Sequence, residues 1–133
     1  MSGESELHRR LVERLVDAVR RDHNPPRGLL VLADHPDFGA DRPPSIGGFL
    51  PDLFASDLPA TFEIIGEAKT VPDLETDRSA RQLRGFLDHL CLRPRPFFYL
   101  TVPPFWGQRA RSLLRSLQGP QHQVIDVRVI DGL

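Results

Sequence analysis

Apolar residues recur along this chain with a helical period in some segments and as short continuous runs in others. In residues 4–21 they are spaced three or four positions apart, as on the buried face of an amphipathic helix. That face comprises Leu7, Leu11, Val12, Leu15, Val16 and Val19. Residues 77–90 and 103–118 have the same spacing and are predicted to be helices.

Apolar runs bounded by turn residues predict strands. Such runs lie at residues 27–33, 49–55, 60–69, 97–102 and 124–130. The connection at residues 56–59 is so short that it favours an antiparallel hairpin between the second and third strands. Residues 34–48 are rich in Asp, Pro and Gly and predict a long loop. The order α-β-β-β-α-β-α-β predicts an α/β fold with a mixed central β-sheet flanked by helices.

Length and composition favour a single domain covering residues 1–133. Cys91 is the only cysteine, which excludes an internal disulfide framework and Cys-based zinc sites and is typical of a reducing compartment. No signal peptide is visible, and no apolar run approaches the ~18 residues of a membrane span. We therefore expect a cytoplasmic protein that does not enter a membrane.

The charge balance limits how the chain could bind a nucleic acid. Its formal net charge is −1, whereas most dedicated nucleic-acid-binding proteins carry a basic excess. Binding would therefore have to rest on a local patch, on metal ions or on a partner. Arginine supplies 16 of the 17 basic residues, and the single lysine is Lys69. Lysine offers a compact charge whose pKa burial can shift, so Lys69 is a candidate for chemistry, with chance survival in an arginine-biased chain as the alternative.

Acidic residues on the second and third strands surround this lysine. Side chains alternate along a strand, so Glu67 and Lys69 share one face. If the two strands pair as a hairpin, Asp52 lies opposite Glu67. Their carboxylates, with the backbone carbonyl of Ala68, would form an oxygen-rich site for Mg²⁺ or Mn²⁺. The Lys69 ammonium would lie close enough to orient or deprotonate a water molecule that attacks a phosphodiester.

The segment Pro51-Asp52, followed after 14 residues by Glu67-Ala68-Lys69, resembles the PD-(D/E)XK motif of the restriction-endonuclease-like nucleases. The αβββαβ order that precedes residue 103 is similar to the common core of that superfamily, and the remaining helix and strand would be additions. Two other Pro-Asp pairs do not lie on a predicted strand before the Glu-x-Lys. The resemblance implies a metal-dependent deoxyribonuclease in which the two acids hold Mg²⁺ or Mn²⁺ and the lysine acts on water.

Two helices add to the resemblance. The run Gln82-Leu83-Arg84-Gly85-Phe86 is similar to the Gln-x-x-x-Tyr element of RecB-like exonucleases, with Phe86 in place of the tyrosine, and implies a role for Gln82 at the metal or at a phosphate. Small Holliday-junction resolvases and stand-alone VRR nuclease modules are also similar in size and order. Those branches carry an additional glutamate on the first helix, for which the candidates are Glu4, Glu6 and Glu13.

Glu63, a group of arginines and the histidines could each have a functional or a purely structural role. Glu63 shares a strand face with Glu67 and is a candidate metal ligand, although a solvent-exposed carboxylate at a strand start is the simpler interpretation. Arg78, Arg81 and Arg84 lie near one helical stripe and are candidate phosphate contacts, Arg78 and Arg81 foremost, against the alternative of a solvated helix face. The five histidines lack metal-ligand spacing, so surface or capping roles are expected for them.

The resulting hypothesis is a metal-dependent DNA nuclease, with RNA as a substrate class that the sequence does not separate from DNA. One active site per chain predicts a homodimer for cutting both strands, or a subunit of a larger complex. The alternative hypothesis keeps the fold and drops the chemistry. It is a catalytically inactive nuclease-fold module that binds DNA or a protein partner.

Overall fold

The computed structural model describes residues 5–132 and contains a five-stranded sheet with the order β1-β2-β3-β4-β5. Its strands are β1 (Leu29–Ala33), β2 (Leu53–Asp57), β3 (Glu63–Ala68), β4 (Pro96–Val102) and β5 (Asp126–Asp131). The pairs β1–β2 and β2–β3 are antiparallel, whereas β3–β4 and β4–β5 are parallel. The sheet is therefore mixed, and helices flank it, so the predicted α/β fold class is confirmed.

Four α-helices accompany the sheet. They are α1 (Glu6–Asp22), α2 (Val71–Leu74), α3 (Asp77–Leu90) and α4 (Gly107–Leu117), and a short 3-10 helix covers Pro120–Val124. The side chain of Ser5 caps α1 by accepting from His8 N at 3.0 Å, and that of Thr76 caps α3 by accepting from Ser79 N at 3.1 Å. None of the helices between residues 5 and 132 is long and apolar enough to cross a membrane.

Helices cover both faces of the sheet and create two apolar clusters. α1 packs on one face, while α3 and α4 pack on the other. The first cluster includes Leu11, Leu15, Leu53 and Ile64, and the second includes Leu83, Phe86, Phe98 and Leu114. β3 and β4 are central to the sheet and are covered on both faces, so the side chains at the end of β3 are shielded from bulk water.

α1 packs closely against β3 at Gly66. A Cβ atom at that position would lie 2.8 Å from the Leu15 side chain, which is closer than real Cβ contacts. Leu15 is fully buried and has little room to move. The glycine therefore permits the helix to pack against the strand that leads into Glu67.

The observed β2 is shifted along the chain from the predicted strand. It begins at Leu53 rather than Phe49, because Phe49 pairs with Ile46 in an isolated bridge and Pro51 has no N–H for a neighbouring strand. Asp52 accordingly lies one residue before the strand. The predicted hairpin between β2 and β3 is confirmed, with Leu53 opposite Gly66.

The helix predicted from residue 103 begins later, at Gly107. The residues before it form a turn in which Trp106 N donates to Pro103 O at 3.2 Å. Phe105 has a φ of 74°, a left-handed conformation that a right-handed helix cannot contain, which explains the delayed start. The four-residue helix α2 and the 3-10 helix were not predicted, because both are too short to show a period.

Candidate active site

A cavity of about 250 Å³ opens where β2 begins and β3 ends. Side chains from α1, from the start of β2, from the end of β3 and from α3 line it together. They include His8, Asp52, Glu67, Lys69, Ser79 and Gln82. The structure therefore brings the four residues of the predicted catalytic set into one place, although they come from three separate parts of the chain.

Backbone N–H groups hold both carboxylates, that of Glu67 through Asp52 and that of Asp52 through Ala68. Asp52 N donates to Glu67 Oε1 at 3.0 Å, and Ala68 N donates to Asp52 Oδ2 at 2.8 Å. This exchange follows from the antiparallel register, which continues past Leu53 and Gly66 to set Asp52 opposite Glu67. Both side chains are almost fully buried. The arrangement fixes two acidic groups side by side in a place where neither is well hydrated.

Lys69 lies between Glu67 and Gln82. Its Nζ is 3.2 Å from Glu67 Oε2 and donates a hydrogen bond to Gln82 Oε1. The backbone is fixed as well, because Lys69 N donates to Thr101 O on β4 at 3.0 Å. The residue is only 8% exposed. The amine is thus held by a carboxylate of β3 and an amide of α3 rather than extending into solvent.

The pKa of Glu67 lies well above its ordinary value. Burial is the largest cause, and the negative charge of Asp52 raises it further. The Lys69 ammonium and the Asp52 N–H oppose these effects. Two adjacent buried carboxylates with one ammonium leave a deficit of positive charge, which a divalent cation would correct. The donor set of carboxylate oxygens therefore fits Mg²⁺ or Mn²⁺.

His8 is a cavity residue that the sequence reasoning missed. Its Nε2 lies 3.3 Å from Asp52 Oδ2, and its side chain is 20% exposed. A signal was present in the sequence, since His8 precedes Leu11 and Leu15 by three and seven positions and so continues the apolar stripe of α1. A polar residue on a buried stripe needs a polar neighbour, and here that neighbour is the acid just before β2.

Among the described residues, only one of the further arginines and glutamates considered as site residues lines the cavity. Arg78 lines the cavity, whereas Arg81 is exposed and does not. Glu6 is mostly exposed and pairs with arginines of its own helix, so it lies away from the cavity. Glu4 lies outside the described residues. Glu13, on the same helix, lies instead beside His35 in the loop after β1.

Glu63 corrects an expectation. It is not a solvent-exposed carboxylate but is 7% exposed, and it lies at the opposite end of β3 from Glu67. Its carboxylate accepts from Arg93 Nε at 3.0 Å and forms an ion pair with His89. The sequence could not show this, because both partners follow in α3 and in the turn after it. The side chain stabilises the sheet end and does not reach the cavity.

A second polar group lies in the loop after β1. Ligand atoms of Glu13, His35 and Asp37 lie within 4.8 Å of one another, so this group could also hold a metal ion. His35 Nδ1 accepts from Asp37 N at 3.0 Å, and His35 Nε2 lies 3.0 Å from Glu13 Oε2. The backbone contact places the ring proton on Nε2, so binding a metal there would require its loss.

Of the five histidines, His35 contradicts the expectation of a surface or capping role, whereas His122 is buried and yet caps the 3-10 helix. His35 and His122 are each only 2% exposed. His122 Nε2 lies 2.7 Å from Asp88 Oδ1, and its Nδ1 accepts from Gly119 N at 2.9 Å. In each ring Nδ1 accepts from a nearby backbone N–H, while Nε2 lies beside an acid distant in sequence, Glu13 or Asp88, which spacing along the chain does not reveal.

Comparisons with known proteins give one structural likeness. No protein-family model matches the chain, and no curated protein matches it. Among solved structures, it is similar to SfsA of Pyrococcus furiosus, determined in complex with Ca²⁺, with a TM-score of 0.54 and 14% sequence identity. The likeness covers 92% of this chain and 57% of SfsA, so the chain spans little more than half of that protein's length. At this identity the comparison shows a shared fold.

Proposed function

We propose that this protein is a metal-dependent DNA nuclease of the PD-(D/E)XK type, which hydrolyses phosphodiester bonds. The observation that carries the proposal is the convergence of Asp52, Glu67, Lys69 and Gln82 on one cavity. A chance Glu-x-Lys would have no reason to meet an aspartate that precedes the neighbouring strand and an amide from a later helix. The likeness to a protein whose structure contains Ca²⁺ supports a divalent cation.

Asp52, Glu67 and the carbonyl of Ala68 would hold Mg²⁺ or Mn²⁺. Such an ion, when bound, neutralises charge on the phosphate oxygens as the bond to the leaving oxygen breaks. The backbone N–H groups of Asp52 and Ala68 keep the two carboxylates in position for it. Preorganised ligands of this kind do not have to rearrange during the reaction.

Lys69 would position or deprotonate the attacking water. Its amine is surrounded by Glu67 and Gln82, which restrict the ammonium to one orientation. Gln82 is therefore a positioning residue, since its contact is to the lysine. The lysine carries the role because its single nitrogen fits between two side chains where a planar guanidinium would not.

The test is cleavage of linear, nicked, single-stranded and branched DNA with Mn²⁺, comparing the wild type with Asp52→Asn and Lys69→Met. We expect loss of cleavage in both variants. Asp37→Asn serves as the matched control, because Asp37 also follows a proline and belongs to the Glu13–His35–Asp37 group. Loss of cleavage in Asp37→Asn, together with full cleavage by Asp52→Asn, would show that the active site is the Glu13–His35–Asp37 group.

A second candidate function is a nuclease-fold module without catalysis, which binds DNA or a protein. The net charge of −1 favours it, because binding would then depend on a partner rather than on a basic surface. Metal binding at Asp52, measured by calorimetry, together with intact DNA on every substrate would support this function. Sedimentation with duplex DNA would show separately whether the protein acts as a homodimer or within a larger complex.

A further inference from the structure

We propose that the start of α3 forms a phosphate subsite beside the cavity's carboxylates, which holds a phosphate of the substrate strand next to the one that is cleaved. This inference rests on the proposed function and adds a substrate contact to it. Three features of α3 support it: the position of its first turn, an unpartnered hydroxyl and a fixed guanidinium.

The first turn of α3 faces the cavity. Thr76, Arg78 and Ser79 line it together with Gln82 one turn later. The first N–H groups of a helix have no acceptor within the helix, and the aligned peptide dipoles place positive potential there. The helix has 14 residues, which is long enough for this effect to be well developed. Thr76 Oγ1 already accepts from Ser79 N, and Asp77 carries a negative charge in the same turn, so the stabilisation of an anion here comes from the helix dipole and the remaining N–H groups.

Ser79 supplies the second feature. The residue is 1% exposed and lines the cavity, yet its Oγ has no hydrogen-bond partner among residues 5–132. A serine in a helix commonly donates to a carbonyl of the preceding turn, and this one does not. A buried hydroxyl without a partner is unfavourable, and a phosphate oxygen in the cavity would provide the missing acceptor.

Arg78 supplies the third feature. Its guanidinium lies 5.5 Å from the centroid of the Phe49 ring, and the residue lines the cavity. Stacking on an aromatic ring restricts the guanidinium without consuming its N–H donors. Those donors remain suited to the oxygens of a phosphate.

The charges that line the cavity determine when the subsite can bind phosphate. Asp73 lines the cavity as well and repels an anion, and Asp52 and Glu67 lie at its base. Lys69 and Arg78 alone do not outweigh these acids. The cavity becomes favourable for phosphate once a divalent cation is bound, so phosphate and metal are expected to bind cooperatively.

The phosphate could belong to a strand end or to the interior of a strand. Both present unprotonated phosphate oxygens, so the shared chemistry is a phosphate oxyanion. Three substrates separate the two sources: linear DNA with a 5′-phosphate, the same DNA with a 5′-hydroxyl, and covalently closed circular DNA. A lower KM for the phosphorylated end identifies the terminal group, and equal KM values identify an internal phosphodiester.

The experiment compares Arg78→Gln, Arg78→Lys and Ser79→Ala with Arg84→Gln, an exposed arginine of the same helix that does not line the cavity. Loss of a hydrogen bond to a charged group predicts a KM for DNA raised roughly tenfold in Arg78→Gln and Ser79→Ala, with kcat little changed. The KM of Arg78→Lys should lie between the KM of these variants and that of the wild type. The thermal midpoint of Ser79→Ala should not fall, because its hydroxyl has no partner in the free protein.

Binding of inorganic phosphate, followed by calorimetry with and without Mg²⁺, tests the subsite independently of cleavage. We expect binding that requires Mg²⁺ and is weakened in Ser79→Ala but not in Arg84→Gln. Unchanged phosphate binding and KM in the Arg78 and Ser79 variants, with Asp52→Asn still inactive, would refute the subsite and leave the nuclease intact. An equal loss of phosphate binding in Arg84→Gln would show that the effect comes from overall charge and not from a subsite. Phosphate binding without cleavage by any form would instead refute the nuclease.

Discussion

At the scale of single residues, the lone lysine is the position at which sequence and structure agree in most detail. The composition singled out Lys69, and the structure places its amine between Glu67 and Gln82 in a nearly closed environment. The family resemblance implied a role for Gln82 at the metal or at a phosphate, and its contact with the lysine was not predicted. Ser79 was not identified, because an unpartnered hydroxyl is visible only when its surroundings are known.

Lys69→Arg preserves the charge and should still abolish cleavage. The larger, planar group does not fit between the carboxylate and the amide, and it does not give up a proton. Loss of an acid–base group predicts a decrease in kcat of ~10²–10⁴-fold. Metal binding by calorimetry and the circular dichroism spectrum should be retained. Arg81→Lys, the reverse change on an exposed helix position, is the control, and normal cutting by Lys69→Arg would show that the lysine is incidental.

Glu67 predicts a pH dependence of stability in the metal-free protein. Burial and Asp52 raise its pKa in the folded state above the ordinary 4.5, so the folded state retains a proton that the unfolded state loses. The stabilisation is complete below the unfolded pKa and is lost as pH rises through the folded pKa. Glu67→Gln should remove this loss, measured as the difference in thermal midpoint between the two proteins from about pH 5 to about pH 8.

Bound metal should reverse this pH dependence of stability. Binding of Mg²⁺ requires the Glu67 carboxylate to be ionised, so the affinity of the wild type should rise with pH over the same range. Effects of other acids, such as Asp22, are common to both proteins and cancel in the comparison. A wild type and a Glu67→Gln variant with parallel pH profiles would contradict the raised pKa.

At the scale of elements, the β2–β3 hairpin was predictable and its surroundings were not. The strand pairing was predicted, but the connection lies at residues 58–62 and not at 56–59, since β2 runs to Asp57, and the register of this pairing sets Asp52 opposite Glu67. The boundary of β2 was misplaced because Phe49 is apolar for another reason, namely contact with Phe86 of α3. The place of His8 in the cavity was not predicted, because the position of α1 over the sheet depends on tertiary packing. Local patterns thus predict pairs of neighbouring strands better than the docking of helices.

Gly66→Ala tests the close approach of α1 to β3. The new methyl group would meet the fully buried Leu15, and such overpacking should cost about 1–3 kcal/mol in the free energy of unfolding. Chemical denaturation is the measurement. Combining it with Leu15→Ala, which removes the opposing atoms, should cost less than the sum of the two single changes. Additive losses would show that the glycine serves the backbone of β3 and not the packing of the helix.

At the scale of the whole molecule, the class of fold was predictable and the affiliation was not established. The mixed sheet and element order are confirmed, whereas the likeness to SfsA rests on 14% identity over little more than half of that protein. The end of α1 and the last strand meet through a buried side chain. The Tyr99 hydroxyl donates to Asp22 at 2.8 Å, and Arg128 contacts both. This contact joins α1 and β5 through β4.

Tyr99→Phe should therefore lower the free energy of unfolding by about 1–2 kcal/mol, because a buried hydrogen bond to a charged group is lost. Burial and the neighbouring Asp22 carboxylate also raise the pKa of the Tyr99 hydroxyl. Tyr99 is the only tyrosine, so the ultraviolet absorbance of tyrosinate reports this side chain alone. Because a raised pKa stabilises the fold only while the hydroxyl keeps its proton, ionisation in alkali should coincide with unfolding. Ionisation at the ordinary pKa in a folded protein would contradict this.

The contacts around the carboxylates differ in how far apart their partners lie along the chain. Asp52 and Glu67 are separated by 15 residues, whereas His8 and Asp52 are separated by 44. Closing a longer loop costs more conformational entropy, so the hairpin and its acidic pair should form during folding before α1 docks. A divalent cation would then meet both acids on a partly folded chain and relieve their repulsion there. Metal would in that case speed folding as well as serve catalysis, and refolding rates with and without Mg²⁺ would show the order in which this site is made.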